Sequence, residues 1–226
     1  MTASTADETS GTVGESTADS DRGTLPALAL VLALTSVVTL TQILLIRAVD
    51  VPANPVLEIG WRLLTVFVPF AVGIGVFFSL RERSFSASMP SVTDLGYVAA
   101  GVVTAYLVFA VYVAVTTTFA PEFAHFRAVD EGAVTPDSVV VGVLSIVTFS
   151  AVTVAVEEVF FRGIIQSYLQ SVLGAAGAVT VASICFAWFH AWPLTFVSPP
   201  FVGALAYYVV MGIVFGLAYE MTDNLT

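Results

Sequence analysis

Between Ser138 and Phe189 the chain carries charge at three positions only: Glu157, Glu158 and Arg162. The 19 residues before Glu157 and the 27 after Arg162 contain no ionisable acid, lysine or arginine. An ionised side chain at membrane depth costs at least ~2.5–3.5 kcal/mol on insertion scales. Such groups face a bundle interior, pair with one another and mark function. Whatever fold the chain adopts must therefore shelter this one cluster.

Composition agrees with a membrane setting. The chain has 226 residues, 58% of them hydrophobic and only 11% charged, which places it among multi-span membrane proteins. Each crossing needs about 20 apolar residues. The expected class is an all-α, polytopic integral membrane helical bundle of about six spans. A net charge of −10 without a single lysine excludes a basic nucleic-acid footprint. Cys185 stands alone, so neither an intrachain disulfide nor a cysteine-cluster zinc site is available.

The chain divides into three regions. Residues 1–23 are rich in Ser, Thr, Gly and acids and lack the apolar content for a core, so they read as a disordered acidic tail. Residues 24–137 hold three transmembrane helices and their loops. The first is Leu25–Ile46, with Thr24 as cap and Pro26 in its first turn. The second is about Val56–Leu80, with Glu58 and Arg62 four apart as an interfacial pair. The third is Leu95–Ala120. Arg81-Glu82-Arg83 is the most basic short loop, which sets it and the N-terminus in the cytoplasm under the positive-inside rule. The expected location is the cell membrane, with several passes. His125, among the charges of the following loop, reads as a solvated residue.

Residues 138–226 form the region of interest. Ser138–Val172 reads as one helix, Gly174-Ala-Ala-Gly177 as a turn, Ala178–His190 as a second helix and Phe201–Tyr219 as a last span. Glu158 lies 16 residues before Gly174 and His190 lies 16 after it. Two antiparallel helices of equal rise thus bring His190 to the depth of the carboxylates. Glu158 and Arg162 share a face at i,i+4, and Glu157 points about 100° away. Two carboxylates in separate environments suit acid/base chemistry. A glutamate near His190 could deprotonate water while the imidazole orients that water or stabilises developing charge. A purely structural ion pair is the competing reading, but two carboxylates against one guanidinium make a poor lock. Phe160, Phe161 and Phe186 read first as packing residues, with Phe161 and Phe186 also candidates for substrate contact.

These residues resemble the CAAX protease and bacteriocin-processing (CPBP, or Abi) family of intramembrane endopeptidases. Its Glu-Glu-x-x-x-Arg motif is matched by Glu157, Glu158 and Arg162, followed by Gly163. Its Phe-x-x-x-His motif is matched by Phe186 and His190. The resemblance covers roughly Ser138–Thr226. It implies a helical membrane fold with a water-filled cavity and hydrolysis of a peptide bond by a glutamate-activated water. By position, Glu157 would be the base, His190 would assist or bind a metal, and Glu158 and Arg162 would hold the site. The family's third motif, a histidine with Asn or Asp four residues later, has no counterpart after His190. The expectation is that a final helix is lacking.

The resemblance implies a peptide or protein substrate, prenylated in eukaryotic members, and a lipid bilayer around the protein. As to cofactors, either none or a divalent metal such as zinc is implied. His-Glu-x-x-His is absent and catalytic zinc usually takes three protein ligands, so metal-free chemistry is the preferred reading. Two other classes stay open. One is a non-catalytic membrane immunity or scaffold protein. The other is a proton-coupled transporter subunit, disfavoured because no second charged hairpin continues a path.

Overall fold

The structure is a computed structural model and describes residues 13–52, 54–81, 92–124, 154–194 and 196–222. The expectations for residues 1–12, for Glu82 and Arg83, for His125, for the start of the helix expected from Ser138, and for residues 223–226 lie outside the described residues. The elements in order are α1 (Val13–Ala48), α2 (Pro55–Leu80), α3 (Val92–Thr118), a 3-10 turn (Pro121–Phe123), α4 (Val154–Glu158), a π-helical segment (Val159–Gln166), α5 (Ser167–Ala191) and α6 (Pro199–Thr222). Among the described residues there is no strand. Among the described residues, five helical stretches are long and apolar enough to cross a membrane. The longest, Ala155–Ala191, contains a break, so the described part of the chain agrees with an all-α membrane bundle of about six limbs.

Local chemistry explains these elements. Asn54 caps α2, its Oδ1 accepting from the backbone N–H of Val56 (3.0 Å) and Leu57 (3.2 Å), with Pro55 following it in the first helical position. Glu58 and Arg62 pair as the spacing predicts, at 2.8 Å, with Arg62 43% exposed. Hydroxyls within the apolar helices are satisfied by their own backbone. Thr35 donates to Val31 O and Thr39 to Thr35 O, both at 2.9 Å. Where no water is at hand, this disposes of a polar group cheaply. One boundary differs from expectation. Helix α1 runs from Val13 to Ala48, so Thr24 and Pro26 lie within it, and its part apolar enough to cross a membrane is Gly23–Ala48.

Close approach of helices, rather than apolar burial alone, holds the bundle. A side-chain carbon on Gly73 of α2 would collide with Val38 of α1 and come within 2.9 Å of Phe160, so three elements meet there. One on Gly212 of α6 would lie 2.8 Å from the Cα of Ser183 in α5. Trp192 donates its indole N–H to Gln42 Oε1 (2.9 Å), tying the end of α5 to α1. Helix α3 leans on α6 through Tyr112 and Tyr207, with ring centroids 5.0 Å apart. The outer faces carry large apolar side chains in the open, among them Leu44, Leu107 and Phe119. Such a surface suits lipid and not water.

Candidate functional site

Glu157 and His190 are 33 residues apart, a separation of about 50 Å along a straight helix. In the structure Glu157 Oε2 lies 3.6 Å from His190 Nε2. The chain therefore turns back on itself, and it does so at Gly174, whose φ of 68° and ψ of 172° leave helical space. That region of backbone space is essentially reserved for glycine. The turn is where the sequence placed it, and the limbs return as equal helical rise requires.

The first limb holds a feature that sequence reasoning did not find. From Val159 to Gln166 the backbone is π-helical. Ser167 ends the segment, its N–H reaching Arg162 O and Ile164 O, and its hydroxyl donating to Arg162 O at 2.9 Å. Gln166 is fully buried and donates to Gly216 O (3.0 Å) and to Glu220 Oε1 (2.7 Å), while Gln170 donates to Glu220 Oε2 (2.8 Å). These bonds fasten the segment to α6. Segments of π-helix are rare and concentrate at functional sites.

The two glutamates part company. Glu158 turns to Arg162, with Oε2 3.3 Å from Nε, the i,i+4 pair expected from the sequence. Arg162 is completely buried. Its guanidinium lies 5.2 Å from the ring centroid of Phe186 and 5.9 Å from that of Phe215, and among the described residues neither terminal nitrogen has a hydrogen-bond partner. Glu157, 8% exposed, turns instead to His190.

His190 is fixed from several sides. Its Nδ1–H donates to Phe186 O at 2.9 Å, since a carbonyl only accepts, and this turns Nε2 toward Glu157. The imidazole lies 4.3 Å from the Phe186 ring and stacks on Tyr208 at 4.4 Å and 28°. Tyr208 was not singled out from the sequence, although a tyrosine inside an apolar span is itself a signal, since its hydroxyl needs a partner there.

Phe161 is fully buried, edge-on to Phe70, Phe160 and Phe186. It occupies the packing role that the sequence also offered, and it presents no open face for substrate. Phe186, 5% exposed, serves as the floor beneath His190 and the neighbour of Arg162.

The donor set does not suit a resident zinc. Among the described residues no three His, Cys, Asp or Glu side chains converge as a metal site. With Glu158 committed to Arg162, Glu157 and His190 are the donors left in the cluster among the described residues, one short of the usual three protein ligands.

Comparison with known proteins bears on the same region. No curated protein and no solved structure matches the chain. The family model described as type II CAAX prenyl endopeptidase Rce1-like matches residues 139–226, about two fifths of the chain. That stretch contains Glu157, Glu158, Arg162, Phe186 and His190 and coincides with the extent of the motif resemblance. By this match, residues 139–226 are similar to the Rce1-like family of type II CAAX prenyl endopeptidases.

Proposed function

We propose that the protein is an intramembrane endopeptidase that hydrolyses a peptide bond with a water activated by Glu157. The observation that carries this reading is the pairing of Glu157 Oε2 with His190 Nε2 at 3.6 Å inside an apolar bundle. That separation is too long for a direct hydrogen bond. We set one water beside the pair, about 2.8 Å from each. With its Nδ1–H committed to Phe186 O, a neutral His190 accepts one hydrogen of that water through Nε2, and Glu157 accepts the other.

The chemistry then balances without a further reactant. Glu157 takes a proton as the water oxygen attacks the peptide carbonyl, and a tetrahedral oxyanion forms. The C–N bond breaks as Glu157 returns that proton to the departing amine, leaving a carboxylic acid and an amine. Glu158 and Arg162 have a supporting role. Their mutual pairing leaves Glu157 to act alone and anchors the limb that carries it. The likeness to the Rce1-like family model supports a peptide or protein substrate, and we take as its form a prenylated chain ending in a CaaX sequence, with the lipid reaching the site from the bilayer.

A transporter would need charge distributed along a path. Among the described residues the buried charged side chains are Glu157 and Arg162, both in this one cluster. That favours a single reaction centre.

The test is cleavage of farnesylated and unlipidated CaaX peptides by the reconstituted protein in heavy-oxygen water, read by mass spectrometry. The proposal expects release of the terminal tripeptide, with one heavy oxygen in the new carboxylate. Intact peptides after prolonged incubation with folded protein would reject the protease reading and favour a non-catalytic membrane partner.

A further inference from the structure

Beyond the residues of the two motifs, we infer that Tyr208 is a positioning residue for His190; the inference rests on the protease reading for its catalytic consequence but not for its structural one. His190 sits in the last turn of α5, which ends at Ala191. Helix ends lose their intrahelical partners and fray. An imidazole there needs support from another element if it is to hold one orientation.

Tyr208 supplies it from the interior of α6. Its ring lies against the imidazole at 4.4 Å and 28°, more nearly parallel than Phe186 at 43° or Phe189 at 84°. Phe186 lies 4.3 Å from His190 and 6.1 Å from Tyr208, so the three centroids form a triangle with its right angle at His190. The two rings therefore restrain the imidazole in different directions. Phe189 adds an edge contact at 5.3 Å and 84°. The bond from Nδ1 to Phe186 O fixes one edge of the ring, but the ring could still roll about that bond. The Tyr208 face blocks the roll, and with it any loss of aim of Nε2 at Glu157.

Tyr208 is itself well placed to do this. One turn further along α6, Gly212 brings the helix against the backbone of Ser183, so the spacing of α5 and α6 is set by contact of main chain with main chain. Tyr207, its neighbour, is buried against Tyr112 of α3 and lies 5.0 Å from the Tyr208 ring. The stacking surface is thus held by α3 and α5 together.

The experiment uses the full chain in micelles with nitrogen-labelled histidine. The chain has two histidines, so His125→Gln leaves His190 as the sole imidazole signal. Against this background Tyr208→Phe and Tyr208→Met are compared. The expected result is one fixed Nδ1–H tautomer in the parent and in Tyr208→Phe, and averaging between tautomers in Tyr208→Met. In the peptide assay, Tyr208→Met should lower kcat roughly 10- to 100-fold, as misplacement of a reacting group does, with little change in KM, while Tyr208→Phe stays within about threefold. A fixed tautomer in Tyr208→Met overturns the inference. So does averaging in both variants, because the hydroxyl and not the stacked ring would then be responsible. Absence of peptide cleavage by the parent, with the tautomer pattern as expected, would count against the protease reading alone.

Discussion

Replacing Arg162 by methionine should destabilise the protein by about 3–5 kcal/mol, the usual consequence of leaving one member of a buried ion pair alone. The structure lets the size be worked out. Arg162 is fully buried and its Nε stands 3.3 Å from Glu158 Oε2. At an effective dielectric of about 20 that contact is worth roughly 5 kcal/mol. The guanidinium over Phe186 and Phe215 adds about 1–2 kcal/mol. Against this, its terminal nitrogens make no hydrogen bond, which places the loss toward the lower end of the range. The second half of the prediction separates charge from packing. In the double variant Glu158→Gln with Arg162→Met, neither member of this ion pair keeps a charge, and most of the lost stability should return. Equilibrium unfolding in mixed micelles, followed by tryptophan fluorescence, measures all three proteins. A single variant within about 1 kcal/mol of wild type, or a double variant no more stable than the single, would refute the reasoning.

Two glycine predictions probe how the limbs are held. Gly174→Ala forces a Cβ onto a residue at φ 68° and ψ 172° and should cost about 1–3 kcal/mol, although nothing lies within 4 Å of the added carbon; unchanged stability in the same unfolding assay would contradict the backbone argument. Gly212→Ala places a carbon 2.8 Å from Ser183 and should cost about 1–3 kcal/mol through forced separation of α5 and α6. Its control is Gly75→Ala in α2, where nothing lies within 4 Å; this should be neutral or stabilising by up to about 1 kcal/mol, and equal losses at the two sites would show that the close approach is not what matters.

How much of this was legible beforehand depends on which physical rule was at work. Long charge-free runs force spanning helices, because backbone polar groups in lipid must be paired within the segment. The helices and the hairpin at Gly174 follow from that and from helical rise. The Glu158–Arg162 pair follows from i,i+4 spacing. The partner of His190 was legible only in depth. Which of two adjacent glutamates faces it depends on angular phase, and Val159–Gln166 departs from the α-helical step. Nothing in the side chains of that segment announces a π-helix, which owes its place to the tertiary bonds of Gln166 and Ser167. Tyr208 escaped notice for a related reason. Its role comes from a crossing of α5 and α6 that no local pattern encodes. The first span was legible because its charge-free run sets it, and Gly23–Ala48 overlies the expected Leu25–Ile46, while composition upstream says whether a segment can build a core and not where helix α1 begins.

The division of labour between Glu157 and Glu158 is the centre of the account, and comparison of Glu157→Gln with Glu158→Gln tests it most directly. Both changes remove one charge and keep the volume. Turnover of a prenylated CaaX peptide, normalised to folded protein, should fall by about 10²- to 10⁴-fold for Glu157→Gln, the usual worth of a general base. For Glu158→Gln the folded fraction should fall, while the rate per folded molecule stays within about tenfold of wild type. Cleavage by Glu157→Gln at the wild-type rate, or a larger loss per folded molecule at Glu158 than at Glu157, would contradict the assignment.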